Sequence, residues 1–221
     1  MSKKLTLLFP ILTIISFVFI ACEGQEKASL TLNSGSSPNK IVGGGCEGCE
    51  AIYEYGDKVL TNVDTLPDYN EQNPKMKITG TVFQNDGKTP AENVILYIYH
   101  TNSEGIYPTK GGEKGWDRRH GYIRGWIKTG KDGKYSFYTF RPGAYPERKW
   151  PEHIHATIKE PDKNEYYIDE FVFDDDPLLT ASERSKALNR CGSGIMRLRE
   201  VNSELLAERD IILGLNIPDY Q

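Results

Sequence analysis

Two histidines separated by one residue, His153-Ile154-His155, follow closely on a tyrosine set among glycine and prolines, Arg141-Pro-Gly-Ala-Tyr145-Pro146. On a strand, side chains alternate between faces, so His153 and His155 project the same way from neighbouring pleats. Two imidazoles placed like this can accept one metal ion. A second tyrosine in similar surroundings, Tyr107 of Glu104-Gly-Ile-Tyr107-Pro108, adds an oxygen donor. Phenolates are hard anionic ligands that suit a trivalent ion, and imidazole suits iron too. Tyr107, Tyr145, His153 and His155 together therefore point to Fe(III), not to the two-histidine, one-carboxylate triad of ferrous oxygenases. Free tyrosine titrates near pH ~10, so each phenol must give its proton up to the metal. Taken alone, the histidine pair has a simpler alternative: two inert, hydrogen-bonded side chains on a strand face.

The elements that must position these groups read as mainly β. Lys75 to Phe83 alternates polar and apolar residues, as a half-buried strand does. Val94 to Tyr99 is β-branched and aromatic and suits a core strand. Further strands are expected at Tyr135–Phe140, His153–Ile158, Tyr166–Phe173, Ile195–Arg199 and Asp210–Leu213. Asp86-Gly87 and Asp132-Gly133 supply turns between them. Thr109 to Arg124 is rich in glycine and charge and reads as a long loop, with His120 as a solvated loop residue. Trp116, Tyr122 and Trp126 suit a pocket lining and simple packing equally well. One helix is expected over Leu178 to Asn189, with Thr180 as N-cap and Glu183 at capping-box spacing. Asp174-Asp-Asp176 reads as a solvated turn before Pro177 and not as a calcium loop. The fold class is all-β, a β-sandwich with long loops and one short helix.

The N-terminus sets the organisation. Lys3 and Lys4 precede an apolar run from Leu5 to Ala21, which ends at Cys22. Phe19-Ile-Ala-Cys22 resembles the lipobox of bacterial lipoproteins, which implies a signal peptide over residues 1–22 and lipidation of Cys22. An uncut signal anchor is the alternative, since the run nearly reaches the ~20 residues that span a bilayer. Residues 23–40 are polar and small and read as a flexible tether. Residues 41–221 then form one domain with a single core. The expected location is outside the cytoplasm, lipid-anchored to a bacterial membrane on its periplasmic or cell-surface face. The signal has no twin-arginine pair, so the metal would be acquired after export. A net charge of −4 without a basic stripe excludes nucleic acid as a partner.

With Cys22 assigned to lipid, Cys46, Cys49 and Cys191 remain. In an exported chain these are disulfide candidates before they are a redox motif or a zinc site. Cys46 and Cys49 can pair with each other, or one of them can reach Cys191. We expect a bridge from Cys191 to the Cys46/Cys49 pair.

The order of motifs resembles the intradiol ring-cleavage dioxygenases, in particular the protocatechuate 3,4-dioxygenase branch. The resemblance runs from Ile78 to Pro177, with a weaker tail through Arg209-Asp-Ile-Ile-Leu213. It is carried by Val94-Ile-Leu-Tyr-Ile-Tyr-His-Thr-Asn-Ser-Glu-Gly-Ile-Tyr107, Arg124-Gly-Trp, Asp132-Gly through Tyr145-Pro, the histidine pair, and Glu170-Phe-Val-Phe-Asp-Asp-Asp-Pro177. It implies that Tyr107 is the first tyrosine ligand and Tyr145 the axial one, which leaves the metal as substrate binds. It implies that His153 and His155 are the histidine ligands. The family uses non-haem Fe(III) and no organic cofactor, and opens an aromatic diol between its hydroxylated carbons with O2 to give a muconate-type diacid.

Two positions depart from the family pattern. Trp150 stands where an arginine is usual, and Glu170 where a glutamine is usual. Loss of a fixed guanidinium removes charge-assisted donors beside the ring. Arg148 is the expected substitute, and Tyr145, Arg148 and Glu170 are the candidate catalytic residues. Slow turnover or a different catechol is the expected consequence. The alternatives are an iron- or catechol-binding lipoprotein with weak or no catalysis, and a surface binding module. Asp132-Gly-Lys-Tyr-Ser-Phe and Arg141-Pro-Gly-Ala-Tyr145 also resemble transthyretin-like sandwiches, which lack iron.

Overall fold

A computed structural model describes residues 41–221; the expected signal segment, Cys22 and the tether lie outside the described residues. In chain order the strands are β1 (Val63–Thr65), β2 (Lys75–Phe83), β3 (Ile95–Tyr99), β4 (Arg124–Lys128), β5 (Lys134–Phe140) and β6 (His153–Lys159). They continue with β7 (Glu165–Tyr167), β8 (Phe171–Phe173), β9 (Ile195–Met196), β10 (Leu198–Val201), β11 (Glu204–Glu208) and β12 (Ile211–Ile212). One sheet runs β1-β5-β2-β11-β10, with β12 also on β2; the other runs β4-β3-β6-β8-β9, with β7 on β6. The all-β sandwich is thus as expected from the strand pattern.

Alternation decides what fills the middle. Met76, Ile78 and Phe137 of the first sheet and Leu96, Ile98, Ile154, Ala156 and Ile158 of the second meet in one buried cluster. The residues between them on β3 and β6 point the other way, onto the outer face of the second sheet. There Tyr97 stacks on Trp126 with ring centroids 4.8 Å apart. The N-terminal segment covers this pair through a single 3-10 turn, Cys49–Tyr53, whose Ala51 and Ile52 are buried against it. Trp116 and Trp126 belong to this packing, which settles their role; Tyr122 packs on the inner cluster and donates to Asp68 at 2.6 Å.

Several expectations are corrected. The helix is a single turn, α2 (Ala181–Arg184), although its cap is as read: the Thr180 hydroxyl accepts from the Glu183 amide at 3.2 Å. It stops early because the Asp169 carboxylate accepts the amides of Asn189 and Arg190 at 2.7 and 3.0 Å, with Asn189 at φ 52°, drawing the chain back to the sheet. Tyr166–Phe173 is broken into β7 and β8, and the break carries Asp169 and Glu170. The long loop contains a one-turn helix, α1 (Asp117–His120), and His120 is buried, not solvated.

The disulfide expectation is also corrected. Cys46 and Cys49 close on each other, and Cys191 is a free, buried thiol. The reason is topological. Cys49 lies on the outer face of the second sheet against Thr157, whereas Cys191 is in the cluster between the sheets, so the sheet itself separates them. Burial pushes the Cys191 thiol up to about 12 and keeps it inert. Among the described residues, no helix is long and apolar enough to cross a membrane.

Candidate metal centre

His153 and His155 open β6 and lie on the outer face of the second sheet, opposite the residues that enter the core. Tyr99 of β3 is the register partner of His155, and the two rings stack at 4.5 Å. His120 stacks on the far side of Tyr99 at 3.8 Å and donates to or accepts from Tyr97 Oη at 2.9 Å. An aromatic column therefore fixes the plane of the His155 ring.

The tyrosines arrive on two loops that cross above the end of the sheet. In the β3–β4 loop, the Asn102 side chain accepts the amides of Glu104 and Ile106, both at 3.0 Å, and forms the turn ahead of Tyr107. The β5–β6 loop carries Tyr145 and is tied down where the Gly143 amide donates to the Asn102 carbonyl at 2.9 Å. Backbones pass so closely here that a Cβ on Gly105 would overlap the Ala144 carbonyl. Gly105 also has φ 77°, which glycine adopts without strain.

The four donor atoms converge. Tyr107 Oη lies 2.6 Å from Tyr145 Oη and 2.8 Å from His155 Nε2. Tyr145 Oη lies 3.2 Å from His153 Nε2 and 3.4 Å from His155 Nε2. Metal–imidazole bonds of about 2.0–2.1 Å place neighbouring ligands roughly 2.9–3.4 Å apart. The two Tyr145–imidazole separations fall in that range and the two Tyr107 contacts are shorter, so the tips lie as close together as the ligands of one ion. Both imidazoles are set with Nε2 inward. His153 Nδ1 donates to the Pro151 carbonyl at 2.7 Å, and His155 Nδ1 meets Glu170 Oε1 at 2.9 Å. Such partners fix the tautomer of a ligating histidine.

His153, His155 and Glu170 also place donor atoms within 4.8 Å of one another, which raises the ferrous type of triad. The geometry disfavours it. Glu170 holds the Nδ1 side of His155, whereas the tyrosines lie at Nε2, the opposite end of the ring. Glu170 therefore acts on the site through His155.

Charge follows the same logic. Burial pushes the Tyr107 phenol up, and its hydrogen bond to Tyr145 adds to this. Burial also raises Tyr145, though the Tyr107 hydroxyl pulls the other way. Burial and then the neighbouring His155 lower His153, which keeps it neutral with a lone pair available. Crowding opposes charge on Glu170, but the His155 hydrogen bond and the two imidazoles outweigh it and hold the carboxyl below its usual range. Two buried phenols hydrogen-bonded to each other, both raised by burial, are a poor arrangement for phenolates alone. A multiply charged cation that accepts hard oxygen donors would draw the protons off.

A cavity of about 470 Å³ opens beside the cluster, and Tyr145, His153 and His155 line it while Tyr107 does not. Arg148, expected to replace the missing arginine, is exposed at φ 51° and lines no part of this cavity. The loop turns at Arg148, where its amide donates to the Tyr145 carbonyl at 2.7 Å, and brings Trp150 to the cavity in its place. The roles of Tyr99 and His120 were not read from the sequence. The alternation Tyr97, Tyr99 was a signal, but the pairing that sets Tyr99 against His155 is visible only in the fold.

The comparisons agree with this architecture. A family model described as Dioxygenase matches residues 53–211. Catechol 1,2-dioxygenase 1 of Acinetobacter lwoffii is 34% identical over 134 residues, covering 57% of this chain and 40% of the relative. The protocatechuate 3,4-dioxygenase beta chain of Burkholderia cepacia is 29% identical over 111 residues, covering 48% of this chain and 47% of its own. The chain thus spans less than half the length of either curated relative. Among solved structures, the dioxygenase domain of a dioxygenase–carbohydrate-binding fusion from Streptomyces sp. SirexAA-E superposes with a TM-score of 0.54 at 21% identity, covering 72% of this chain and 92% of that one, a likeness of fold. Since the family match extends from the 3-10 turn that roofs the outer face to the last strand, the chain belongs to the intradiol dioxygenase family.

Proposed function

We propose that Tyr107, Tyr145, His153 and His155 hold Fe(III), and that the protein opens a catechol-type aromatic with O2 between its hydroxylated carbons to a muconate-type diacid. The observation that carries this reading is the convergence of four donor atoms, with separations from 2.6 to 3.4 Å, at the wall of a cavity. Bound ferric iron supplies Lewis acidity and a template for the two oxygens of a diol. The protein's own groups do the rest. Of Tyr107 and Tyr145, Tyr145 is the one that lines the cavity, so its oxygen is the one positioned to take a proton from an incoming diol. His153 and His155, locked by Pro151 and Glu170, keep the metal's place fixed.

The test is a visible spectrum of iron-loaded protein. Phenolate-to-iron charge transfer should colour it red-brown, and catechol should shift the band. Tyr107→Phe and Tyr145→Phe should each change the colour. A colourless iron complex would overturn the proposal.

A second reading, iron and catechol binding with slow turnover, is favoured by the cavity's lack of an unpaired cation. Arg184 pairs with Asp174 at 2.7 Å and Lys186 with Glu183 at 2.6 Å. Ring-opened product formed at the rate of a catabolic dioxygenase would exclude it.

We also propose export and lipid anchoring through Cys22. The Cys46–Cys49 disulfide supports this, since such bonds persist in oxidising compartments. Membrane association that survives Cys22→Ala would count against it.

A further inference from the structure

The cavity beside the metal cluster is larger and less polar than a single-ring diol requires. At about 470 Å³ it falls in the range of sites that take drug-sized ligands, about 300–1,000 Å³. Val172 of β8, Ile195 of the edge strand β9, and Leu179 give it apolar walls. Two large apolar side chains stand at its rim in contact with solvent: Trp150 is 50% exposed and Leu188 is 61% exposed. Lys186 Nζ sits 5.8 Å from the Trp150 ring centre, so the segments carrying Trp150 and Leu188 flank the same opening. Neither residue packs into either buried cluster.

The charges around the cavity point the same way. The carboxylates of Asp169, Glu170 and Glu183 outnumber the cations Arg184 and Lys186, and each cation already has a carboxylate partner. Arg184 is further committed to the carbonyls of Leu179 and Asp174, at 3.2 and 2.9 Å. A carboxylate on the substrate would find no free partner here and would face Glu170. Burying it unpaired is unfavourable. An apolar substituent gains by covering the indole and the leucine.

We infer that the substrate is a neutral ortho-diol with an apolar alkyl or aryl substituent, its diol end at Tyr145, His153 and His155 and its substituent across Trp150 and Leu188. This rests on the proposed function and narrows it to one class of catechol.

Calorimetric titration of the iron-loaded full chain under anaerobic conditions, with catechol, 4-butylcatechol and 3,4-dihydroxybenzoate, tests it. 4-Butylcatechol should bind at least about tenfold more tightly than catechol, and 3,4-dihydroxybenzoate more weakly than catechol. Trp150→Ala and Leu188→Ser should each shrink the ratio between butylcatechol and catechol. Leu188→Arg should improve binding of 3,4-dihydroxybenzoate, a gain that misfolding cannot produce. Equal affinity for all three ligands, or a preference for the carboxylate, overturns the inference and leaves the catechol reading standing. Failure of every diol to bind overturns both.

Discussion

Glu170 carries a charge where the family resemblance leads one to expect an amide, and the structure sets that charge on the Nδ1 side of His155, opposite the nitrogen that faces the tyrosines. Its carboxylate accepts from Nδ1 at 2.9 Å, which makes Nε2 the more basic nitrogen and directs it toward the tyrosines. Glu170→Ala should lower iron affinity about 10- to 100-fold, measured by competition with a chelator, while Glu170→Gln, which keeps an acceptor, should lose less. Another histidine serves the fold alone. His100 is fully buried; its Nδ1 donates to the Thr101 carbonyl at 2.7 Å and its Nε2 accepts from the Thr139 hydroxyl at 2.6 Å. That wiring satisfies the neutral ring, and burial pulls its pKa from 6.5 to about 4. The unfolded chain takes up a proton below pH 6.5 that the folded chain refuses until about pH 4. Stability conferred by the neutral ring is therefore complete above this window and falls as pH drops through it, by on the order of 3 kcal/mol. Denaturant midpoints followed from pH 7 to 4 should show this slope, and His100→Asn should flatten it.

At the scale of elements, the crossing of the β3–β4 and β5–β6 loops brings the tyrosines together. Gly105→Ala would push the Ala144 carbonyl away and strain a left-handed backbone. It should cost more than about 1 kcal/mol and, because Tyr107 and Tyr145 separate, should remove the charge-transfer band while far-ultraviolet circular dichroism stays β-like. The four donors were legible in the sequence by type and spacing, because β6 alternates and the tyrosines sit in marked glycine–proline turns. The crossing was not, since it depends on tertiary backbone contact. The same divide runs through the fold. Lys75–Phe83 and His153–Lys159 alternate plainly and are strands. Glu204-Leu-Leu-Ala-Glu208 shows no alternation and was not foreseen; it is a strand because β2 and β10 pair with it on either side. The one-turn α2 had a correct cap, but the pull of Asp169 on Asn189 and Arg190 ended the helix where propensity alone would continue it.

At the scale of the whole molecule, Arg209 links the two sheets and, through them, the cavity wall. Its backbone belongs to the first sheet: its amide donates to Thr79 at 3.0 Å, and Tyr135 Oη donates to its carbonyl at 2.7 Å. Its guanidinium reaches the second, donating to the carbonyls of Asp169 at 2.6 Å and of Arg190 and Gly192 at 3.4 Å, beneath the Phe171 ring. Burial lowers its pKa to about 10, so it remains a cation at neutral pH. The three carbonyls flank Glu170 and the start of β9, the segments that form one side of the cavity. An ammonium lacks the planar fork needed to serve all three, so Arg209→Lys should cost about 1–3 kcal/mol in denaturant unfolding. If the guanidinium also holds the wall that positions Glu170 against His155, iron affinity should fall in the same variant under conditions where it is still fully folded. Lost stability with unchanged affinity would instead mean that Asp169, through its grip on Asn189 and Arg190, keeps the wall in place by itself.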